Sequence, residues 1–413
     1  MRYWKTKSLS DSILLGPQYG ANAAAVPYDS SLPRYIRITD VDNDGNLIER
    51  KRCSTDLAAH QQYLLQENDV LLARSGATVG KSYIHKRMTG PAVFAGYFIR
   101  FQTDPRELLP KYLYWYTKSE SFNLWISSKK RVAAQPNING QEYSRLLIPV
   151  PPPKEQTRIV ELLDQADALR KLRTQADKKA ARILPALFHH YFGDPANYPI
   201  KIPLEDVVSD GPQYGANASA VNWNPQLPRY IRITDVNSVG RLIDAKKSSV
   251  NATVNSPYLL AGNDILFARS GATVGKTYIH KDTSHPAIFA GYLIRFRADK
   301  SKLLPDYLFS VTQSEYYRTW VKGKQRAAAQ PNINGREYSE LKIPVPPISE
   351  QTAFVSNLHD LNKIAESTIC SKQKLEDLFQ LLLYRAFTGE LTAQWREDHI
   401  SELVEEMAIQ SKS

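Results

Sequence analysis

The chain carries the same domain twice, and this internal duplication limits its fold more than any other feature. Gly16-Pro17-Gln18-Tyr19-Gly20-Ala21-Asn22-Ala23 returns as Gly211-Pro212-Gln213-Tyr214-Gly215-Ala216-Asn217-Ala218. Leu32 to Val41 returns unchanged as Leu227 to Val236, Ala73 to Lys81 as Ala268 to Lys276, and Ala133 to Gly140 as Ala328 to Gly335. Every pair is 195 positions apart, so neither copy has gained or lost a residue relative to the other. Roughly 60% of positions 16–157 are identical in the second copy, the signature of a duplicated domain rather than a short solenoid repeat.

Each copy reads as two parts. The first ~150 residues alternate short β-like runs with glycine turns, a size and pattern that fit one compact α+β domain. Arg34 to Ile38 alternates apolar and polar like a half-buried strand, and Asp69 to Arg74 and Phe98 to Phe101 read the same way. A helical region is expected from Pro110 to Ile126. The second part opens on Ile148-Pro149-Val150-Pro151-Pro152-Pro153, where prolines stop the preceding structure. A long amphipathic helix follows from about Lys154, with Ile159, Leu162, Ala166, Leu169 and Leu172 on its seam. Copy two repeats this after Ile343-Pro344-Val345-Pro346-Pro347, with Phe354, Leu358, Leu361, Ala365 and Ile369. Each helix runs ~35 residues, or about 50 Å. Pro185 is expected to kink the first or mark its last straight turn. The simplest arrangement pairs the two helices as an antiparallel coiled coil between two homologous globular domains; the alternative packs each helix on its own domain alone.

The net charge of +11 favours a polyanionic partner. Cys53 and Cys370 occupy non-equivalent positions, so neither a disulfide framework nor a cysteine zinc site is expected. No signal peptide follows Met1, and no run approaches membrane-spanning length. These features point to a soluble protein of the cytoplasm.

Catalytic signatures are missing where they would be needed. Gly76-Ala77-Thr78-Val79-Gly80-Lys81-Ser82 resembles a phosphate-binding loop but has three residues between its glycines where the P-loop has four. There is no Asn-Pro-Pro-Tyr or Asp-Pro-Pro-Tyr tetrapeptide and no strand-linked Gly-x-Gly cofactor loop. His85 and His280 are equivalent, yet neither has a companion at metal-ligand spacing, so no metal site is expected. Asp69 and Asp264 read as turn residues before a strand.

The remaining polar residues suit DNA. Arg pairs with guanine edges, and Asn and Gln pair with adenine. The candidate contacts are Gln18, Tyr19, Asn22, Arg74, Lys81, Arg131, Gln135 and Asn137, matched by Gln213, Tyr214, Asn217, Arg269, Lys276, Arg326, Gln330 and Asn332. Lys86 and Arg100, with Lys281 and Arg295, add to the basic clusters. The glycine turns are expected to aim backbone amides, with Arg74 and Lys81, at a phosphate or base edge. Asn137 or Asn139 also suits a helix cap before Gly140.

This order of parts resembles the specificity subunit of type I restriction-modification systems. The marks are Ile148 to Pro152 leading to Glu155-Gln156, repeated as Ile343 to Pro347 and Glu350-Gln351. The helix ends Phe188 to Pro195 and Ala386 to Leu391 also fit, as does Gln135-Pro136-Asn137-Ile138 before the proline exit. The near identity of the two copies departs from many members, whose recognition domains differ widely. The resemblance implies target-recognition domains at 1–152 and 196–347, spacer helices at 153–195 and 348–391, and a loosely held C-terminal tail at 392–413. It implies no catalysis and no cofactor in this chain. Two methyltransferase subunits held on the spacer helices would methylate adenine with S-adenosylmethionine, and restriction subunits would use ATP and Mg. A stand-alone double-stranded DNA-binding protein would lack that partner surface; a nucleotide-dependent enzyme would use the Gly76 and Gly271 loops.

Overall fold

A computed structural model describes residues 4–56, 61–130, 136–180, 182–237, 240–252, 256–325 and 331–410. The chain divides into two compact units, Met1–Thr174 with Cys370–Ser413, and Gln175–Ile369.

In the first unit, β1 (Lys5–Ser8) precedes β2 (Gln18–Tyr19), β3 (Val26–Pro27), β4 (Arg34–Ile36), β5 (Cys53–Ser54), β6 (Val70–Ala73), β7 (Ser82–Ile84), β8 (Ala92–Phe94) and β9 (Phe98–Phe101). Then come α1 (Pro110–Tyr116), α2 (Glu120–Lys130), α3 (Gly140–Ser144), β10 (Leu147–Val150) and α4 (Pro153–Ala180). Two four-stranded sheets form, in the orders β2-β9-β6-β7 and β3-β5-β4-β8, the latter with β4 and β8 parallel. The expected half-buried alternation holds for neither β6 nor β9, whose residues are all buried. Val70 and Leu72 join one core cluster while Leu71 and Ala73 join another, so β6 runs between two apolar layers, and a continuous apolar run is the corresponding signature. Asp69 does end a turn: Asn68 takes φ +74° and the Asp69 carboxylate accepts from the Gln66 amide at 2.9 Å.

The helical region 110–126 forms two helices. Pro110 opens α1, where its missing N–H costs nothing, and five consecutive residues from Tyr112 to Tyr116 are buried. The Ser119 hydroxyl accepts from the Phe122 amide and starts α2. The proline-rich exit is partly a strand: β10 pairs antiparallel with β1, Thr6 opposite Pro149, which ties the beginning of the domain to its end.

The second unit begins with α5 (Ile183–Phe192), followed by β11 (Lys201–Pro203), β12 (Gln213–Tyr214), β13 (Ala220–Asn222), β14 (Arg229–Ile231), β15 (Ser248–Val250), β16 (Ile265–Ala268), β17 (Thr277–Ile279), β18 (Ala287–Phe289) and β19 (Leu293–Phe296). It continues with α6 (Pro305–Thr312), α7 (Glu315–Gln325), α8 (Gly335–Ser339) and β20 (Lys342–Pro344), in the strand pairing of the first unit. The last helices are α9 (Ile348–Thr388), shared between the units, then α10 (Ala393–Asp398) and α11 (Ile400–Gln410) in the first. As expected, the first helix does not run straight past Pro185: α4 ends at Ala180 and α5 starts at Ile183. Pro185 sits in the first turn of α5, where proline is tolerated.

The helices use their apolar faces first on the globular domains. In the first unit Ile159 and Leu163 of α4 and Phe379, Leu383 and Ala386 of α9 are buried in the domain core, and Phe387 lies edge-on to Tyr112 at 5.3 Å. In the second, Phe188 and Phe192 of α5 and Phe354 and Leu358 of α9 enter the core, with Phe192 edge-on to Tyr307 at 5.0 Å. Leu169 and Leu172 of the expected seam are instead 56% and 61% exposed. Within the first unit α4 and α9 run antiparallel: Arg170 pairs with Glu376 at 2.9 Å, while Glu155, earlier in α4, meets Arg396 beyond the end of α9.

The C-terminal segment is docked rather than loose. The fully buried Glu155 carboxylate accepts from Thr392 Oγ1 at 2.6 Å, from Arg396 Nε at 2.8 Å and from Trp4 Nε1 at 2.9 Å. Leu403 of α11 is buried, and Lys154 pairs with Glu402 at 2.8 Å.

Candidate nucleic-acid interface

Three segments far apart in sequence meet at one end of each domain. In the first copy they are residues 16–23, 73–81 and 136–140. Gly76 and Gly80 adopt φ +70° and +87°, a left-handed geometry that suits glycine, and a Cβ on Gly80 would also lie 2.9 Å from Ile126. The resulting turn joins β6 to β7 as a hairpin, whereas a nucleotide P-loop leads from a strand into a helix. Its amides are used internally: Gly76 N–H donates to Pro136 O at 2.9 Å, Val79 to Gly76 O, Gly80 to Ala73 O and Lys81 to Thr78 O. The expectation that these amides face a phosphate is therefore corrected for those four groups. The turn instead fixes the backbone of Arg74 and of the 136–140 segment.

Arg74 is where the segments converge. Its carbonyl accepts from Ile138 N–H at 2.8 Å, and its Nε donates to Asn137 Oδ1 at 3.5 Å. Its guanidinium lies over the Tyr19 ring, 4.8 Å from the centroid, and Tyr19 Oη accepts from Gly140 N–H at 2.9 Å. Asn139, not Asn137, caps α3: its side chain accepts from Glu142 N–H, and Glu142 accepts from Asn139 N–H. Asn137 is thus left exposed beside Arg74.

The second copy repeats the cluster. Arg269 lies over Tyr214 at 5.0 Å, Tyr214 Oη accepts from Gly335 N–H at 2.9 Å, Ile333 N–H donates to Arg269 O at 2.8 Å, and Asn334 caps α8. Unlike its counterpart Arg74, Arg269 has its Nε buried with no hydrogen-bond partner among the described residues. Asn332 and Asn217, like Asn22 in the first copy, are exposed.

Other expected contacts are placed differently. Lys81 and Lys276 turn inward, their ammonium groups donating to Val41 O at 2.5 Å and Val236 O at 2.9 Å. Burial lowers the Lys81 pKa. Gln18 and Gln213 accept from the guanidinium groups of Arg100 and Arg295. Those arginines are not surface cations: both are buried, with Asp69 and Asp264 at 3.1 and 3.4 Å. His85 and His280 are buried beside Tyr83 and Tyr278 with lowered pKa values from desolvation, as core groups. Arg131, Gln135, Arg326 and Gln330 lie outside the described residues.

Sequence reasoning missed two features. Tyr97 and Tyr292 are largely exposed next to the cluster, a property that no local pattern encodes. The copies also differ in a correlated way at one sheet edge. Arg52 sits 3.9 Å over Tyr28, whereas Lys247 sits 3.7 Å over Trp223, which also packs on His285.

The type I restriction modification DNA specificity domain model matches residues 26–181 and again 204–377. The StySPI specificity subunit of Salmonella potsdam is 25% identical over 405 residues, covering 90% of this chain and 85% of that protein. The EcoKI specificity subunit of Escherichia coli K12 is 25% identical with the same coverage, and the MjaVIII specificity subunit of Methanocaldococcus jannaschii is 22% identical over 80% of this chain and 81% of that protein. Among solved structures, a chain from a study of assembly and conformational transition of the type I R-M system aligns with TM-score 0.60 at 16% identity, covering 94% of this chain and 98% of that one. The type I restriction-modification system S subunit from M. genitalium aligns with TM-score 0.57 at 13% identity, covering 94% of this chain and 96% of that one. The duplicated domain, the proline exit into a helix and the two family matches agree: the chain belongs to the type I restriction-modification DNA specificity family, whose members recognise DNA sequence and are not themselves catalytic.

Proposed function

We propose that each copy reads one half of a bipartite DNA target through its Tyr–Arg–Asn cluster, Tyr19, Arg74 and Asn137 in the first copy and Tyr214, Arg269 and Asn332 in the second. The proposal rests on one observation: in both copies three separate segments converge on a half-exposed arginine that lies over a tyrosine ring, and in the first copy Arg74 also donates to Asn137. Such an arginine is stiffened for a guanine edge or a phosphate, and the exposed asparagine suits adenine. Arg131, Gln135, Arg326 and Gln330 remain proposed DNA contacts on their chemistry alone. Lys81 and Lys276 would act on the turn backbone through their bonds to Val41 O and Val236 O rather than on DNA.

The helices would pair as an antiparallel coiled coil and hold two methyltransferase subunits, with restriction subunits joining that assembly in the cytoplasm. Exposed Leu169, Leu172 and Leu378 give this surface apolar anchors. S-adenosylmethionine, ATP and Mg would belong to those partners.

Arg74→Ala and Arg269→Ala test the DNA surface. Binding of the full chain to its target duplex is expected to weaken by about 1–3 kcal/mol per arginine if it reads a base, with discrimination relaxed at one position. If it holds a phosphate, affinity falls uniformly and the slope of log K against log salt drops by about one. Wild-type affinity and salt slope in both variants would contradict the assignment.

A further inference from the structure

Tyr97 and Tyr292 carry an inference that the cluster alone does not. Each lies in the turn between the parallel strand of one sheet and the central strand of the other, β8 to β9 and β18 to β19. The turn is fixed on three sides. Gly96 N–H donates to Ala21 O at 2.8 Å, Arg74 N–H donates to Tyr97 O at 2.9 Å, and Phe98 N–H donates to Ala95 O at 2.9 Å. The second copy repeats these bonds at 2.8, 3.0 and 2.9 Å through Gly291, Arg269 and Leu293. The approach is close: a Cβ on Gly20 would meet the Phe94 and Ala95 carbonyl oxygens at 2.4 Å. Tyr97 is therefore bonded through its carbonyl to Arg74 and, through its neighbour Gly96, to the 16–23 segment.

Its side chain makes no use of this rigidity within the domain. Tyr97 is 65% exposed and Tyr292 68%, while the next residues, Phe98 and Leu293, are fully buried. No hydrogen bond from either hydroxyl occurs among the described residues. Two-fifths of the aligned positions differ between the copies, roughly, yet both keep a tyrosine here and both leave its ring in solvent. A large ring held in water beside an arginine on a rigid turn is a contact group awaiting a planar partner.

We infer that Tyr97 and Tyr292 are base-contact residues, each laying its ring by apolar contact against the base edges and methyl groups that a groove of its own half-site exposes, while the neighbouring arginine fixes register. This rests on the DNA-reading role proposed above and names the residues that supply its uncharged part. The hydroxyl is dispensable in this role and the ring is not.

The test uses the full chain assembled with its methyltransferase partner, a duplex carrying the site mapped by adenine methylation, and a scrambled duplex of equal length. Tyr97→Ala and Tyr292→Ala are each expected to lose about tenfold in affinity for the mapped duplex, within the range for one contact to a base edge. Affinity for the scrambled duplex and the salt slope stay at wild type, because a neutral ring releases no counterions. Tyr97→Phe and Tyr292→Phe bind like wild type. If an alanine variant melts early, glutamine against phenylalanine reads the same contrast. Alanine variants with full affinity, an equal loss on both duplexes, or phenylalanine as weak as alanine would each overturn the inference. Failure of the wild-type complex to prefer the mapped duplex would instead overturn the DNA-reading role beneath it.

Discussion

Arg100→Ala is expected to destabilise the first domain by about 3–5 kcal/mol, a fall in melting temperature on the order of 10 °C for a unit of this size. Arg100 is buried and crosses between elements. It donates to Gln18 Oε1 at 2.8 Å, to the carbonyls of Leu64 and Gln62 at 2.6 and 2.9 Å, and to Asp69 at 3.1 Å. Alanine leaves a buried carboxylate with the Gln66 amide and Gln102 Nε2 as its remaining partners among the described residues, and strands two carbonyls. Arg295→Ala is expected to cost less in the second domain. There Arg297 stands where Gln102 does and already donates to Asp264 at 2.8 Å, so a cation still faces the carboxylate after the change. Calorimetry of the two variants reads the contrast. Equal losses, or a larger loss for Arg295→Ala, would show that the carboxylate's remaining partner does not set the cost.

Glu155→Ala is expected to release the C-terminal helices while leaving the recognition domains folded. The buried carboxylate is the acceptor shared by Thr392, Arg396 and Trp4. Removing it takes away the carboxylate that pairs with the mostly buried Arg396 guanidinium, whose neighbours then include the Gly389 carbonyl at 2.7 Å, Thr392 Oγ1 at 3.4 Å and the Trp4 ring. Breaking one side of such a pair costs about 3–5 kcal/mol. Undocking 393–410 relieves that cost because Arg396 then returns to water. Limited proteolysis should cut after residue 391 in Glu155→Ala and not in wild type, with Glu155→Gln intermediate. Resistance of Glu155→Ala to cleavage there would show that the apolar contacts of Leu403 hold the segment by themselves.

Much of this was legible in the sequence because the duplication is. Two unbroken copies require two similar domains, and the proline exits correctly mark where a helix follows. The fully buried strands were harder: Val70 to Ala73 is an apolar run, and periodicity cannot tell one buried face from two. The seam of the first helix was misread by one position, Leu163 being buried where Leu162 was expected, because the face is set by the globular domain as well as by a partner helix. The site was legible as segments rather than as residues. Residues 16–23, 73–81 and 136–140 do meet, but an arginine, lysine or glutamine in such a segment carries no label for inside or outside. Arg100 balances a buried aspartate, Lys81 binds a carbonyl, and Gln18 braces Arg100; each pairing depends on residues 30 or more positions away. Tyr97 shows the converse, an apolar residue that the fold leaves in water.

The central claim is that two nearly identical domains read nearly identical half-sites. The segments that form the clusters are the same in both copies, and equal donors and acceptors select equal bases. The proposed antiparallel helix pair would relate the copies by a pseudo-twofold axis, and a twofold protein reads inverted half-sites. Tyr28 with Arg52 against Trp223 with Lys247 is the difference most able to alter one position. The most direct test maps methylated adenines across the host genome with and without this gene. The account predicts an interrupted palindrome, perfect or broken at one base, with an unread spacer. Two unrelated half-sites would contradict it, since the bases would then be read by positions that differ between the copies.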